Sequence, residues 1–372
     1  MRWLERQLSR SPSSGAFIPE VDGMRFLAIL GVLIVHTAGD MYFANGVHEA
    51  NWSYHRGLLL RLMGGGWFGV QIFFVLSGFI VTLPFARHHL QGTAAPDLKR
   101  YLMRRLTRIE PPYVIALTAY YLSSGHIAEF LPDYLTGLLY SHHYFYSTLN
   151  PVAPITWSLE IEIVFYVLAP WLTLIYRVRG RRPLQMLLIV LPAWICSHYA
   201  APGWAQNTFI VMIQYFFAGM LLADFYATGL LRRSAKIGWD LGAAAAAIGL
   251  AAILAGLPGT WARYYWLTPI LIMILFAGIV SGRYANWFFR LKPVTIIGGM
   301  CYTLYLSHMA VIAIFAWRLK PLVNSPVAYC LLVIPVMIAI AVPIYLLIEK
   351  PFMTGKAIQL RGWLPYRAAE GT

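Results

Sequence analysis

The sequence predicts an all-α polytopic membrane protein of about ten transmembrane helices, both termini cytoplasmic, with a central polar channel. Three observations point there. Of the 372 residues, 59% are hydrophobic and 12% charged, about half the charged share of a soluble domain, and the mean hydropathy is +0.62. Several apolar runs approach the ~20 residues that cross a bilayer, too many for one signal peptide or anchor. The basic residues then sort between alternate loops. With the N-terminus inside, 24 of the 29 Lys and Arg fall on the cytoplasmic side and 5 outside, the asymmetry that orients membrane chains.

The predicted crossings are 24–43, 66–86, 111–125, 157–176, 184–201, 208–226, 240–257, 264–281, 294–316 and 327–348. Residues 1–20 read as a basic, Ser-rich arm on the cytoplasmic surface, 21–352 as the membrane domain and 353–372 as a cytoplasmic tail. Segment 126–156 carries Tyr134, Tyr140, His142, His143, Tyr144 and Tyr146 with Pro132, Pro151 and Pro154. It is too polar to face lipid and is expected outside or partly re-entrant, lining protein or water. A formal charge of +14 would suggest nucleic acid in a soluble chain. Here the topological bias accounts for it, no nucleic-acid partner is expected, and part of the excess is available to an anionic ligand. Cys196, Cys301 and Cys330 are far apart and lack metal-ligand spacing; they read as buried thiols, and no metal is expected.

The first crossing contains Arg25 and His36. Eleven helical steps of ~100° end ~20° past three full turns, so the two share a face about 16.5 Å apart along the axis. Arg25 sits at the cytoplasmic edge and His36 past mid-membrane, where a titratable group is costly and marks function. The plainer alternatives are a snorkelling arginine and a histidine that glues helices together. Asp22 is placed to steady Arg25, and Asp40, four residues after His36, to orient its imidazole.

The second crossing opens with Gly64-Gly65-Gly66 and runs through Phe73-Phe74-Val75-Leu76-Ser77-Gly78-Phe79, small residues that suit close helix packing. Before the third, Arg105 and Arg108 are three apart, share a face and precede Pro111-Pro112 at an expected helix start. Two guanidinium forks there fit a phosphate; contact with lipid headgroups is the alternative. The fourth opens with Trp157-Ser158-Leu159-Glu160-Ile161-Glu162; two helical steps put the carboxylates on different faces, so they are not a paired acid and base. In the ninth, Tyr302, Tyr305 and His308 follow one another at three-residue spacing, with Tyr305 and His308 pointing nearly the same way.

These segments, in this order, resemble the acyltransferase-3 family of integral membrane acyltransferases. The matching residues are Arg25-x10-His36 after Asp22-Gly23, Phe73 to Phe79, Arg105-x-x-Arg108-Ile109-x-Pro111-Pro112-Tyr113, Trp157-Ser158-Leu159-x-x-Glu162-x-x-Phe165-Tyr166, Tyr302-x-x-Tyr305-Leu306-x-His308 and Glu349-Lys350-Pro351. The family more often has Arg where Lys350 stands. The resemblance implies a bundle of about ten helices in the cell membrane that transfers an acyl group, usually acetyl from acetyl-CoA, to a hydroxyl of a cell-envelope or secreted glycan or a small molecule. Many members carry an additional extracytoplasmic SGNH esterase-like domain; this sequence ends about 20 residues after its last predicted crossing and is expected to lack one.

On that resemblance, Arg105, Arg108 and Arg25 are expected to hold the phosphates of acyl-CoA, and Ser77 to lie on the donor path. His36 is expected to act as general base, with an acyl-histidine as the variant. Glu162 is expected near the outer mouth, orienting His36 or binding acceptor hydroxyls, while Trp157, Tyr302, Tyr305 and His308 line the channel. Tyr305, Ser77 and Trp157 are the candidate oxyanion donors. Two other classes compete: a transporter or flippase, which would show broken helices or repeated halves, and a non-catalytic binder of a lipid-linked sugar or acyl carrier.

Overall fold

A computed structural model describes Leu8 and residues 17–44, 57–199, 207–256 and 264–353. The predicted arm, apart from Leu8 and 17–20, lies outside them. So do the tail beyond Met353 and Arg56 and Arg263 of the loop count. The described residues are helical, with no strand among them. In chain order the helices are α1 Pro19–Ala44, α2 Leu58–Gly64, α3 Gly69–Gln91, α4 Leu98–Ser123, α5 Leu131–Leu138, α6 His142–Tyr146, α7 Trp157–Leu172 and α8 Arg181–His198. They continue as α9 Phe209–Ala227, α10 Ile237–Leu254, α11 Thr268–Ser281, α12 Tyr284–Phe289, α13 Lys292–Gly299, α14 Cys301–Leu319, α15 Pro326–Ile344 and α16 Lys350–Met353.

Each predicted crossing coincides with a helical stretch, but among the described residues only six are long and apolar enough to span by themselves. These contain α1, α2 with α3, α7, α9, α10 and α15 with α16. The others differ for local reasons. α11 has 14 residues, about 21 Å of rise against a ~30 Å hydrocarbon layer. α8 begins with Arg181 and Arg182, and α4 spends its first turns on Lys99, Arg100, Arg104, Arg105 and Arg108. α13 and α14 form one broken unit bent by 70°, which makes seven spans if counted as one.

α4 corrects one local expectation. It starts at Leu98, with the Asp97 side chain accepting from the Arg100 N–H as its cap, so Pro111 and Pro112 lie inside the helix. Arg105 and Arg108 therefore project from its shaft rather than preceding its first turn. Segment 126–156 folds into α5, α6 and a 3-10 turn at Pro154–Thr156. Its polar groups bond inward: His142 Nε2 lies 2.8 Å from Asp133 Oδ1, Asn150 donates to the Asp133 carbonyl at 2.9 Å, and the His143 N–H reaches Glu160 at 3.1 Å. Cys301 and Cys330 are buried, and Cys196 is half-buried.

α1 runs through the middle, packed against α3, α13, α14 and α15. The most extensive helix crossing is α3 on α9. A Cβ on Gly219 would strike the Val75 carbonyl oxygen, and one on Gly78 would strike that of Phe216, so hydrogen is the only side chain that fits. Phe216 stacks on Phe165 at 4.2 Å and leans on Phe74 at 5.0 Å, which ties α7 into the same layer. At the break before α14, the first-turn N–H groups have lost their helical acceptors. Fully buried Glu349 replaces one: its Oε2 accepts from the Thr303 N–H at 3.1 Å and the Thr303 hydroxyl at 2.6 Å.

Replacing Glu349 by Ala strands these two donors, and a loss of ~1–3 kcal/mol is expected. Glu349→Gln keeps an acceptor and is expected to lose less. Thermal unfolding in detergent checks the order; equal melting of Glu349→Ala and wild type would show that the carboxylate does not cap α14.

Candidate active site

Seven of the residues singled out from sequence line one cavity of about 100 Å³: Arg25, Ser77, Arg105, Arg108, Glu162, Tyr302 and Tyr305. They come from α1, α3, α4, α7 and α14. Arg25, Arg105 and Arg108 share the lining with a single carboxylate, Glu162. Arg25 pairs through Nη1 with Asp22 one turn earlier, as the spacing predicts. Arg105 lies over two aromatic faces, 5.9 Å from the Tyr101 centroid and 5.6 Å from that of Tyr166. The Tyr101 hydroxyl in turn donates to the Tyr166 carbonyl at 2.9 Å. Both distances are within reach of the ring quadrupole's attraction for a cation.

Glu162 differs from its predicted partnership. Its Oε1 accepts from both the Ser77 and the Tyr166 hydroxyls, and its hydrogen bonds do not involve His36. Ser77 is correspondingly committed to a carboxylate. Tyr166 completes the arrangement and was missed as a site residue, although the signal was present: it lies four residues after Glu162, on the same helix face. Glu160 points elsewhere, to the His143 N–H, in keeping with the two-step spacing.

The two tyrosines of α14 are committed to partners within the protein. The Tyr305 hydroxyl meets Ser158 Oγ at 2.8 Å and donates to the Ile155 carbonyl, which leaves it unfit as an oxyanion donor in this arrangement. Tyr302 donates to the Ile109 carbonyl at 2.9 Å and joins α14 to α4. Trp157 stands behind the wall, edge-on to Phe74 at 6.3 Å. His36 and His308 are outside the lining, so the expected channel ends one helical turn short of them.

The two histidines form a pair that spacing within one helix could not reveal. His308 is fully buried and His36 half-buried; their ring centroids are 4.9 Å apart. His308 Nδ1 lies 2.7 Å from the Tyr305 carbonyl oxygen, which only accepts, so this nitrogen carries the proton. In a neutral ring Nε2 is then an acceptor. That atom is 3.0 Å from His36 Nδ1, so His36 donates from Nδ1 and keeps its lone pair on Nε2. The pairing fixes the tautomer of His36. Asp40 does not share in it: its carboxylate is held by Lys320 Nζ at 2.8 Å and the Tyr329 hydroxyl at 3.1 Å. Among the described residues, no group of three His, Cys, Asp or Glu side chains could hold a metal.

Glu162→Leu removes the acceptor of two hydroxyls beside three guanidinium groups, and a loss of ~1–3 kcal/mol is expected. Glu162→Gln, which retains an acceptor oxygen, is expected to unfold closer to wild type; reversal of that order in thermal melts would contradict the bonding described.

Comparison with known proteins gives a consistent picture. Residues 18–346 match the family model described as an acyltransferase domain. O-acetyltransferase OatA of Staphylococcus aureus (strain NCTC 8325 / PS 47) is 26% identical over 330 residues, covering 80% of this chain and 51% of that protein. The putative O-acetyltransferase SACOL0978 of S. aureus (strain COL) is 24% identical over 384 residues, covering 94% of this chain and 59% of the relative. The chain thus spans about half the length of the curated relatives it matches. No solved structure matches it.

Proposed function

We propose, from the premise that the chain belongs to the acyltransferase-3 family, that it is a membrane O-acyltransferase. It moves an acetyl group from cytoplasmic acetyl-CoA to a hydroxyl of an extracytoplasmic acceptor, a cell-envelope or secreted glycan. In this reading the ten helical units cross the plasma membrane with both ends inside. The observation that carries it is the basic cavity running from Arg25, Arg105 and Arg108 to Tyr305, one turn before the His36–His308 pair.

The phosphates of the donor rest at Arg105, Arg108 and Arg25, where charge-assisted bonds to guanidinium are strong. The thioester arm lies along the cavity, and its acyl end passes Tyr305 when the contacts of that hydroxyl with Ser158 and Ile155 part. His36 Nε2 takes the proton of the acceptor hydroxyl as its oxygen attacks the thioester carbon. The C–S bond breaks, the thiolate leaves with the electron pair, and the imidazolium returns the proton to sulfur. His308 is a positioning residue: by accepting from His36 Nδ1 it keeps the reactive lone pair on the other nitrogen. The relatives are named O-acetyltransferases, which supports this chemistry, and the arginine end supports a phosphorylated donor.

Full chain in nanodiscs, given radiolabelled acetyl-CoA and candidate glycan acceptors, tests the reading. Label is expected in the acceptor, and His36→Ala is expected to lower kcat/KM by roughly 10²–10⁴-fold. His308→Ala is expected to lower kcat with little change in KM, because it disturbs the tautomer and not the grip. A correctly folded His36→Ala variant with normal transfer would remove the base from this mechanism. Arg105→Gln with Arg108→Gln is expected to raise the KM for acetyl-CoA at least tenfold; an unchanged KM would make the two arginines topological.

A further inference from the structure

A second space adjoins the first. It measures about 550 Å³, against about 100 Å³ for the arginine-lined cavity, and falls within the ~300–1,000 Å³ usual for small-molecule sites. It forms where α3 ends and α4 begins: Phe85 and Arg87 come from the last turns of α3, and Arg100, Tyr101 and Arg104 from the first turns of α4. Arg105 lines both spaces. Four guanidinium groups therefore surround a pocket whose one carboxylate is Asp97, and that carboxylate is engaged in capping α4, accepting from the Arg100 N–H at 3.2 Å. Arg100 and Arg104 are exposed, while Arg87 is half-buried. The back wall is apolar and fixed, with Phe85 edge-on to Tyr101 at 5.5 Å.

The two volumes sort the parts of a coenzyme A thioester. The cavity of about 100 Å³ has room for a thin chain and not for a nucleoside, whereas the larger space suits a bulky head bearing a phosphate. Arginine forks match phosphate oxygens in pairs, and the start of a long helix adds a favourable dipole for anions. Resting on the acyl-CoA reading above, we propose that the 3′-phosphoadenosine head of the donor binds in this second space. Arg87, Arg100 and Arg104 hold its 3′-phosphate, the Phe85 and Tyr101 wall meets its adenine, and the diphosphate passes Arg105 toward Arg25 and Arg108, with the arm beyond it in the narrow cavity.

An anionic lipid headgroup offers the same phosphate chemistry, so the experiment separates the two. Full chain in zwitterionic nanodiscs is titrated with fluorescent coenzyme A, which is then displaced by unlabelled coenzyme A, 3′-dephospho-coenzyme A, adenosine 3′,5′-bisphosphate or phosphatidylglycerol. Wild type is expected to favour coenzyme A over the dephospho form by about tenfold or more. The R87Q/R100Q/R104Q variant is expected to bind coenzyme A at least about tenfold more weakly and to lose that preference. Single R100Q and R104Q variants, at exposed positions, guard against a folding defect and should each show part of the loss. R232Q/R233Q, at an exposed basic pair on another loop, should show none.

Unchanged affinity in the triple variant, or no preference for the 3′-phosphate in wild type, overturns the proposal. Loss of phosphatidylglycerol binding with coenzyme A binding intact overturns it too, in favour of a headgroup site. Arginine-dependent binding without acetyl transfer leaves this site standing and removes the transferase reading. Transfer without dependence on these arginines does the reverse.

Discussion

The Thr303 N–H and hydroxyl both end on the carboxylate of Glu349, and much of the site depends on that cap. A chain that breaks inside an apolar bundle exposes backbone donors where no water can satisfy them. Glu349, fully buried, permits the 70° turn between α13 and α14. The turn in turn sets the direction of the helix bearing Tyr302, Tyr305 and His308. One hydroxyl of that helix reaches α4 at Ile109, another reaches Ser158 of α7, and one ring nitrogen reaches α1 at His36. Three neighbours are thus held in place by one correctly aimed helix.

The sequence was most readable where a property belongs to a single segment. Apolar length located the helices, and basic residues at three-residue spacing located one wall of the cavity, since Arg105 and Arg108 line it together. The family motifs, spread over most of the chain, brought Arg25, Ser77, Glu162, Tyr302 and Tyr305 onto the same list before any geometry was known. Legibility failed where a partner is distant in the chain. Asp40 is held by Lys320 and Tyr329, hundreds of residues away, and not by the imidazole one turn behind it. Glu162 is held by Ser77 from another helix as well as by Tyr166 from its own. The start of α4 was misjudged because Pro111-Pro112 resembles a helix opening, yet the Asp97 cap had already started the helix at Leu98.

Arg105 is where the geometry is least replaceable by charge alone. It is the residue common to both spaces, and it lies over two tyrosine rings. A lysine there would keep the positive charge but lose the flat, delocalised surface that fits between aromatic faces. The tyrosines are themselves fixed, Tyr101 by the Tyr166 carbonyl and Tyr166 by Glu162. The order from carboxylate to hydroxyl to ring to guanidinium links Glu162 to the boundary between the two spaces.

The bridge at Tyr305 has a consequence for a membrane as well as for chemistry. A bore open at both faces would short-circuit the membrane, since hydrated ions and protons would run down their gradients through it. With the Tyr305 hydroxyl bridging Ser158 and Ile155, the lining stops at that ring and does not include the His36–His308 pair. In the topology proposed above, one phenol then stands between the basic cavity and the outer side.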